Sequence, residues 1–295
     1  MPSSRSSSVL VLAFAMHSMA SALAPETARA ADNGTTDKSM YSLFNPTPDS
    51  LLRSFSTDRP TKSNVPQTVD AGRFQYETDL FNYYHQRTGS VTTNSLTLLN
   101  TYLKVGLTSS VDFELNTPVF QELRTRDGST GITTRAAGYN DTIARFKINM
   151  WGNEGGKTAF ALIPWVKIPT AASGLGNGAT EGGIIAPLAF SLPQDRTLLF
   201  NFEVDQLKNA NDGGYHVSTT NLINLSGPIA PGWTLYGELW TQVNFDPART
   251  ITQASFDTAL AWSVTKTTQV DIGANIGLTR DTPALQVYMG LAQRF

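Results

Sequence analysis

The chain has 295 residues, a formal net charge of −2 and no cysteine. Charged residues make up only 16%, well below the usual quarter. No basic stripe marks a nucleic-acid partner, and thiol nucleophiles, disulfides and cysteine-based metal sites are excluded.

The first element is a leader. Arg5 supplies a positive start, "VLVLAFAM" (Val9 to Met16) is an apolar run too short to cross a bilayer, and Ala28-Arg29-Ala30 forms a small-residue cleavage site. Pro25 would hinder the other candidate, Ala22-Leu23-Ala24. An N-terminal anchor helix is the competing reading, and His17, Ser18 and Ser21 interrupt it. No later stretch reaches the ~18 apolar residues of a transmembrane helix. The expected division is a signal peptide over 1–30, a coil over 31–70 and one β domain over 71–295. The coil opens on polar "ADNGTTDKSM" and then holds Pro46, Pro48, Pro60 and Pro66 without a sustained period.

From Ala71 onward the pattern alternates in runs separated by turn residues. It predicts about twelve strands, at 71–84, 94–107, 111–120, 139–151, 158–168, 183–192, 197–207, 215–225, 233–245, 254–264, 268–277 and 284–295. Strands 6 and 10 carry the weakest pattern, so a count of about ten or fourteen stays open. Even strands end in short turns such as "TSS", "PQDR" and "TKT". The longest connections, "QELRTRDGSTGITTRAAG" and "PTAASGLGNGATEG", follow odd strands. A soluble sandwich has no reason to sort its loops this way. A meander through a membrane does, with short periplasmic turns and longer external loops.

The faces agree. Strand 4 sets Ala144, Phe146, Ile148 and Met150 against Asp141, Arg145, Lys147 and Asn149. Strand 7 sets Leu198, Phe200, Phe202 and Val204 against Asn201, Glu203 and Asp205. Ten residues at ~3.3 Å, tilted ~40°, rise about 25 Å, the height of an outer-membrane apolar band. Tyr83, Tyr84, Tyr139, Trp151, Tyr215, Trp233 and Phe245 gather near strand ends, where interfacial girdles belong. An even number of strands lets the last pair with the first, so neither edge is left open. The expected fold is therefore a closed antiparallel transmembrane β-barrel. Terminal Phe295, after alternating "VYMGLAQR", resembles the C-terminal signature of bacterial outer-membrane proteins read by the barrel-assembly machinery. Gln293 departs from that signature.

The stretches "FSTDRPTKSNVPQTVDAGRFQYE", "NTYLKVGLTSSVDFEL", "DTIARFKINMWGNEGGKTAFALIPWVKIPT" and "GLGNGATEGGIIAPLAFSLP" occur in order from Phe55 to Leu192. They resemble a family of outer-membrane proteins labelled as meta-pathway phenol-degradation or transporter proteins. The resemblance implies an outer-membrane barrel that admits hydrophobic or aromatic compounds.

Two groups of residues carry functional candidates. Asp58-Arg59-Pro60 reads either as a solvated periplasmic turn in which Asp58 and Arg59 pair, or as part of a plug with Arg59 on luminal carboxylates. The inward charges Glu77, Lys104, Asp112, Glu114, Arg145, Lys147 and Lys167 read either as a neutralising network that stiffens the lumen or as a constriction that selects solutes. Arg145 and Lys147 opposite Glu114 and Asp112 are the leading constriction candidates, with the loop after strand 3 expected to fold inward. The expected function is passive passage of small organic solutes across the outer membrane, with no catalytic step and no cofactor. Membrane lipid is the expected partner, and the oligomeric state stays open. One alternative is a lipid-acting hydrolase, since His216 and Ser218 resemble the His-x-Ser spacing of outer-membrane phospholipase A. A closed structural or adhesive barrel is the other.

Overall fold

The computed structural model describes residues 37–295, and the expected leader lies outside them. The strand segments are β1 (Phe74–Thr88), β2 (Val91–Gly106), β3 (Val111–Asp127), β4 (Thr133–Gly138), β5 (Thr142–Trp151), β6 (Thr158–Ile168), β7 (Glu181–Leu192), β8 (Arg196–Lys208), β9 (Tyr215–Ala230), β10 (Trp233–Asn244), β11 (Ile251–Thr265), β12 (Thr268–Gly277) and β13 (Leu285–Arg294). Each pairs antiparallel with its neighbours, β1 joins both β2 and β13, and β2 joins β3, so the sheet closes. β4 and β5 lie end to end along β3 and form one spanning strand, broken at 139–141. The thirteen segments thus make twelve spanning strands, as the alternation predicts. Closure leaves the wall no open sheet edge, as a membrane requires.

The burial pattern is inverted relative to a soluble protein. Lys147, Glu77, Glu114, Glu238, Asp112 and Asp257 are among the largest fully buried side chains. Leu103, Phe146, Phe202, Leu239 and Ile272 are each about half exposed. Charged residues almost never fill a soluble core, and so broad an apolar exterior needs hydrocarbon around it. Aromatic girdles rim the band. Trp233 stacks on Trp262 with centroids 5.7 Å apart, Trp151 on Phe160 at 4.8 Å, and Phe295 lies 6.0 Å from Tyr76. Exposed Tyr139, Tyr215 and Phe245 ring the other end. Leu239 sits midway along β10 on the outer face, so Leu239→Arg is expected to cost about 2–4 kcal/mol. Equilibrium urea unfolding from lipid vesicles measures it.

The structure departs from the pattern on one side of the wall. Residues after 120 do not fold inward. β3 continues to Asp127, turns through 128–132 and returns as β4, while β1 and β2 meet in a tight turn at Gly89 and Ser90. The ribbon has water on both faces, and β4 is mostly exposed, so no hydrophobic alternation marks it. Below the ribbon, Leu80, Leu99 and Val119 stand opposite one another across β1, β2 and β3 outside the ladder. Leu80 is an extra residue against the Gly290–Met289 step of β13, and Leu99 has a left-handed φ of 52°. Such a bulge changes which side chains face inward. Gln75, Glu77 and Asp79 point to the lumen before it, and Asn82, hydrogen-bonded to Asp79, after it.

Candidate functional site

Residues 54–70 have no strand to pair with, and Pro60 and Pro66 prevent a helix. Their backbone groups need partners all the same, and wall side chains supply them. The N–H groups of Asp58 and Arg59 donate to Glu77 Oε2 on β1 at 3.0 and 3.2 Å. Lys62 N–H donates to Glu238 on β10 at 3.1 Å, and Asn64 N–H to Asn201 on β8 at 2.6 Å. Val69 N–H donates to Asp112 on β3, and Asn149 on β5 donates to the Pro66 carbonyl. A short segment that reaches strands all around a closed ring lies within it.

Asp58 and Arg59 do not pair as a solvated turn would have them. They point to different sectors of the wall. The Asp58 carboxylate accepts from Lys147 at 2.8 Å, Arg145 at 2.9 Å and Lys104. Lys104 also meets Glu77 at 2.6 Å, and Arg145 is bound to Glu114. Glu114 stands opposite Arg145, and Asp112 opposite Lys147, in the β3–β5 ladder. Three cations thus share three carboxylates, one of them from the coil. Burial would raise the Asp58 carboxyl, but Lys104, Lys147 and Arg145 outweigh it and hold it well below the usual range.

Arg59 reaches the opposite sector, where its guanidinium binds Asp79 on β1 and grips Asp271 on β12 with Nε at 3.0 Å and Nη2 at 2.6 Å. Burial opposes its charge, yet Asp271 and Asp79 raise its affinity for the proton above the ordinary value. Lys62 lies 3.0 Å from Asp257, donates to Ser255 at 2.6 Å and sits 4.2 Å above the Trp240 ring. Burial lowers its pKa, and Asp257 offsets only part of that.

The coil is also anchored at the periplasmic mouth. Arg53 joins Glu154 of the β5–β6 turn, and Asp70 meets Arg53, Lys38 and Arg294. Lys167 stands elsewhere, at the external rim, 3.2 Å from Asp141 and 2.7 Å from Glu181. His216 and Ser218 both point inward on β9. His216 Nδ1 shares a hydrogen bond with Asn209, while His216 Nε2 and Ser218 Oγ are buried without partners, so no hydrogen bond joins the two.

The coil separates two spaces. A cavity of about 530 Å³ opens toward the periplasmic end, lined in part by Leu52, Phe55, Val65, Ala159 and Leu199. Another of about 300 Å³ lies between the coil and the external side, lined by Asn82, Asn100, Tyr102, Asn275 and Tyr288. Asp58, Arg59, Thr61 and Ser63 line both. Val65 packs on a small apolar cluster of Ala159, Ala189 and Leu199.

Lys62, Asp257, Asp271 and Gly290 are the residues that sequence reasoning missed. One signal existed: β10, β11 and β12 contain no Lys or Arg, yet carry three carboxylates.

These features define an outer-membrane β-barrel whose lumen is occupied by its own N-terminal segment. The chain belongs to the family described as "Putative MetA-pathway of phenol degradation", whose model matches residues 57–295. Among solved structures it is similar to the COG4313 outer membrane channel from Pseudomonas putida F1, with 12% identity and a TM-score of 0.60 over 81% of this chain and all of that one. Looser likenesses, both with a TM-score of 0.46, are to the NanC porin (8% identity; 75% of this chain, 98% of that one) and to the β domain of the Bordetella autotransporter BrkA (13% identity; 76% of this chain, 99% of that one). No curated protein matches the sequence.

Proposed function

We propose that the protein is a passive outer-membrane channel for small organic molecules, aromatic compounds foremost, and that residues 54–70 close it. One observation carries this reading: the 58–63 loop is the shared wall of two cavities that otherwise face opposite ends of the barrel. Withdrawal of that loop toward the periplasm would join them into a passage. The closed state is held by ion pairs between coil and wall, which a rigid filler would not need to concentrate at the tip of a tethered loop. The apolar patch of Ala159, Ala189 and Leu199 beside a polar wall suits a solute with a greasy ring and a polar edge. The family's description points the same way, and the likeness to an outer-membrane channel fits it. The reading also takes Phe295, 62% exposed at the periplasmic rim, as the contact for barrel assembly.

The test is flux. Proteoliposomes holding the chain without residues 54–66 should take up phenol-sized solutes faster than those holding the intact protein, and planar bilayers should show larger steps. Equal flux and no added current from the shortened chain would reject the channel in favour of a closed structural barrel.

A further inference from the structure

Three neighbouring strands present a row of paired residues, Asp79 on β1, Gly290 on β13 and Asp271 on β12. The Arg59 guanidinium lies over Gly290. A Cβ there would overlap Nη2 and Cζ of Arg59. The row is therefore a notch with a flat floor and a carboxylate on either side. That shape suits a planar, doubly donating cation better than a spherical one.

The polar groups around the notch are not all satisfied by the coil. Asp257 is wholly buried, with Lys62 Nζ 3.0 Å from its Oδ2 and no partner for its Oδ1. Tyr288, 4% exposed, has a buried hydroxyl without a partner, and its ring lies against Gly273. With no Lys or Arg on β10, β11 or β12, Glu238, Asp257 and Asp271 depend on the coil for their counter-charge. Buried carboxylates left without a cation are costly, so a cation that takes the place of Arg59 and Lys62 is favoured over a neutral or negative group.

We propose that this acid-lined notch is a binding site for the guanidinium head of an organic cation, with Arg59 as its resident occupant. A second consequence rests on the channel reading: the passage vacated by the coil conducts cations over anions.

Calorimetric titration of methylguanidinium into the full chain in detergent tests the site. Arg59→Ala should bind it saturably, one per chain, and the intact protein should not. Adding Asp271→Asn to Arg59→Ala should weaken binding at least tenfold. No saturable binding to Arg59→Ala, or binding indifferent to Asp271→Asn, overturns the site. Should Arg59→Ala fail to fold, the variant lacking residues 54–66 replaces it, with the same expected and overturning results. In bilayers under a KCl gradient, that shortened chain should show a cation-selective reversal potential that Asp79→Asn with Asp271→Asn abolishes. An open but unselective pore overturns the second consequence. A silent pore overturns it together with the channel reading, while the calorimetry still decides the site.

Discussion

Gly290→Ala is expected to open the barrel without altering a single charge. The added methyl would occupy the place of the Arg59 guanidinium, and the guanidinium cannot retreat while holding both Asp79 and Asp271. Breaking a buried, doubly held ion pair costs about 3 kcal/mol or more. Taken from the docked state of the coil, that raises the open fraction on the order of a hundredfold. Single-channel recording of the purified variant should show frequent long openings where the parent shows few. Gly237→Ala is the matched control, since a Cβ at Gly237 meets nothing within 4 Å, and it should behave as the parent does. Indistinguishable records from Gly290→Ala and the parent would mean that Arg59 does not keep the coil in place.

Asp58→Asn is expected to lower stability strongly. The carboxylate sits among Lys104, Arg145 and Lys147. Without it, three cations share Glu77 and Glu114 alone among their contacting carboxylates. The cost should be about 3 kcal/mol, seen as a lower urea midpoint in lipid vesicles. Its pH dependence has a definite sign. The folded carboxyl is held low against burial by those three cations, below the unfolded value of about 3.9. Its contribution is therefore complete above about pH 4 and is lost as pH falls through the lower folded value. The gap between parent and Asp58→Asn should stay constant from pH 8 to 5 and narrow only below pH 4. A gap that changes between pH 6 and 8 would point to another titrating group.

How far the sequence showed this depends on what each residue faces. The 158–168 and 268–277 runs coincide with β6 and β12 to the residue, because one side meets lipid and the other the lumen along their whole length. The signal fails where that contrast ends. Residues 121–138 have water on both sides of a ribbon, and their alternation carries no hydrophobic mark. Leu80 hides in another way: an extra apolar residue looks like a continued strand, yet it shifts the inward set from Asp79 to Asn82. The charged candidates could be gathered because Glu114 with Arg145 and Asp112 with Lys147 lie on strands adjacent in sequence. Arg59 and Asp271 are separated by 212 positions, and only closure of the ring brings them within reach. Gly290 reads as one more small residue until the guanidinium above it is seen.

The place where Arg59 rests spans the joint of the cylinder. Asp79 comes from the opening strand, while Gly290 and Asp271 come from the last two. Until that joint closes, the wall offers the arginine half a receptacle at most. Arg59 can hold both carboxylates only in a finished ring, and once settled it ties the first strand to the end of the sheet from within. Closure of the wall and full seating of Arg59 are thus coupled, and a ring open at that joint would lack the clasp.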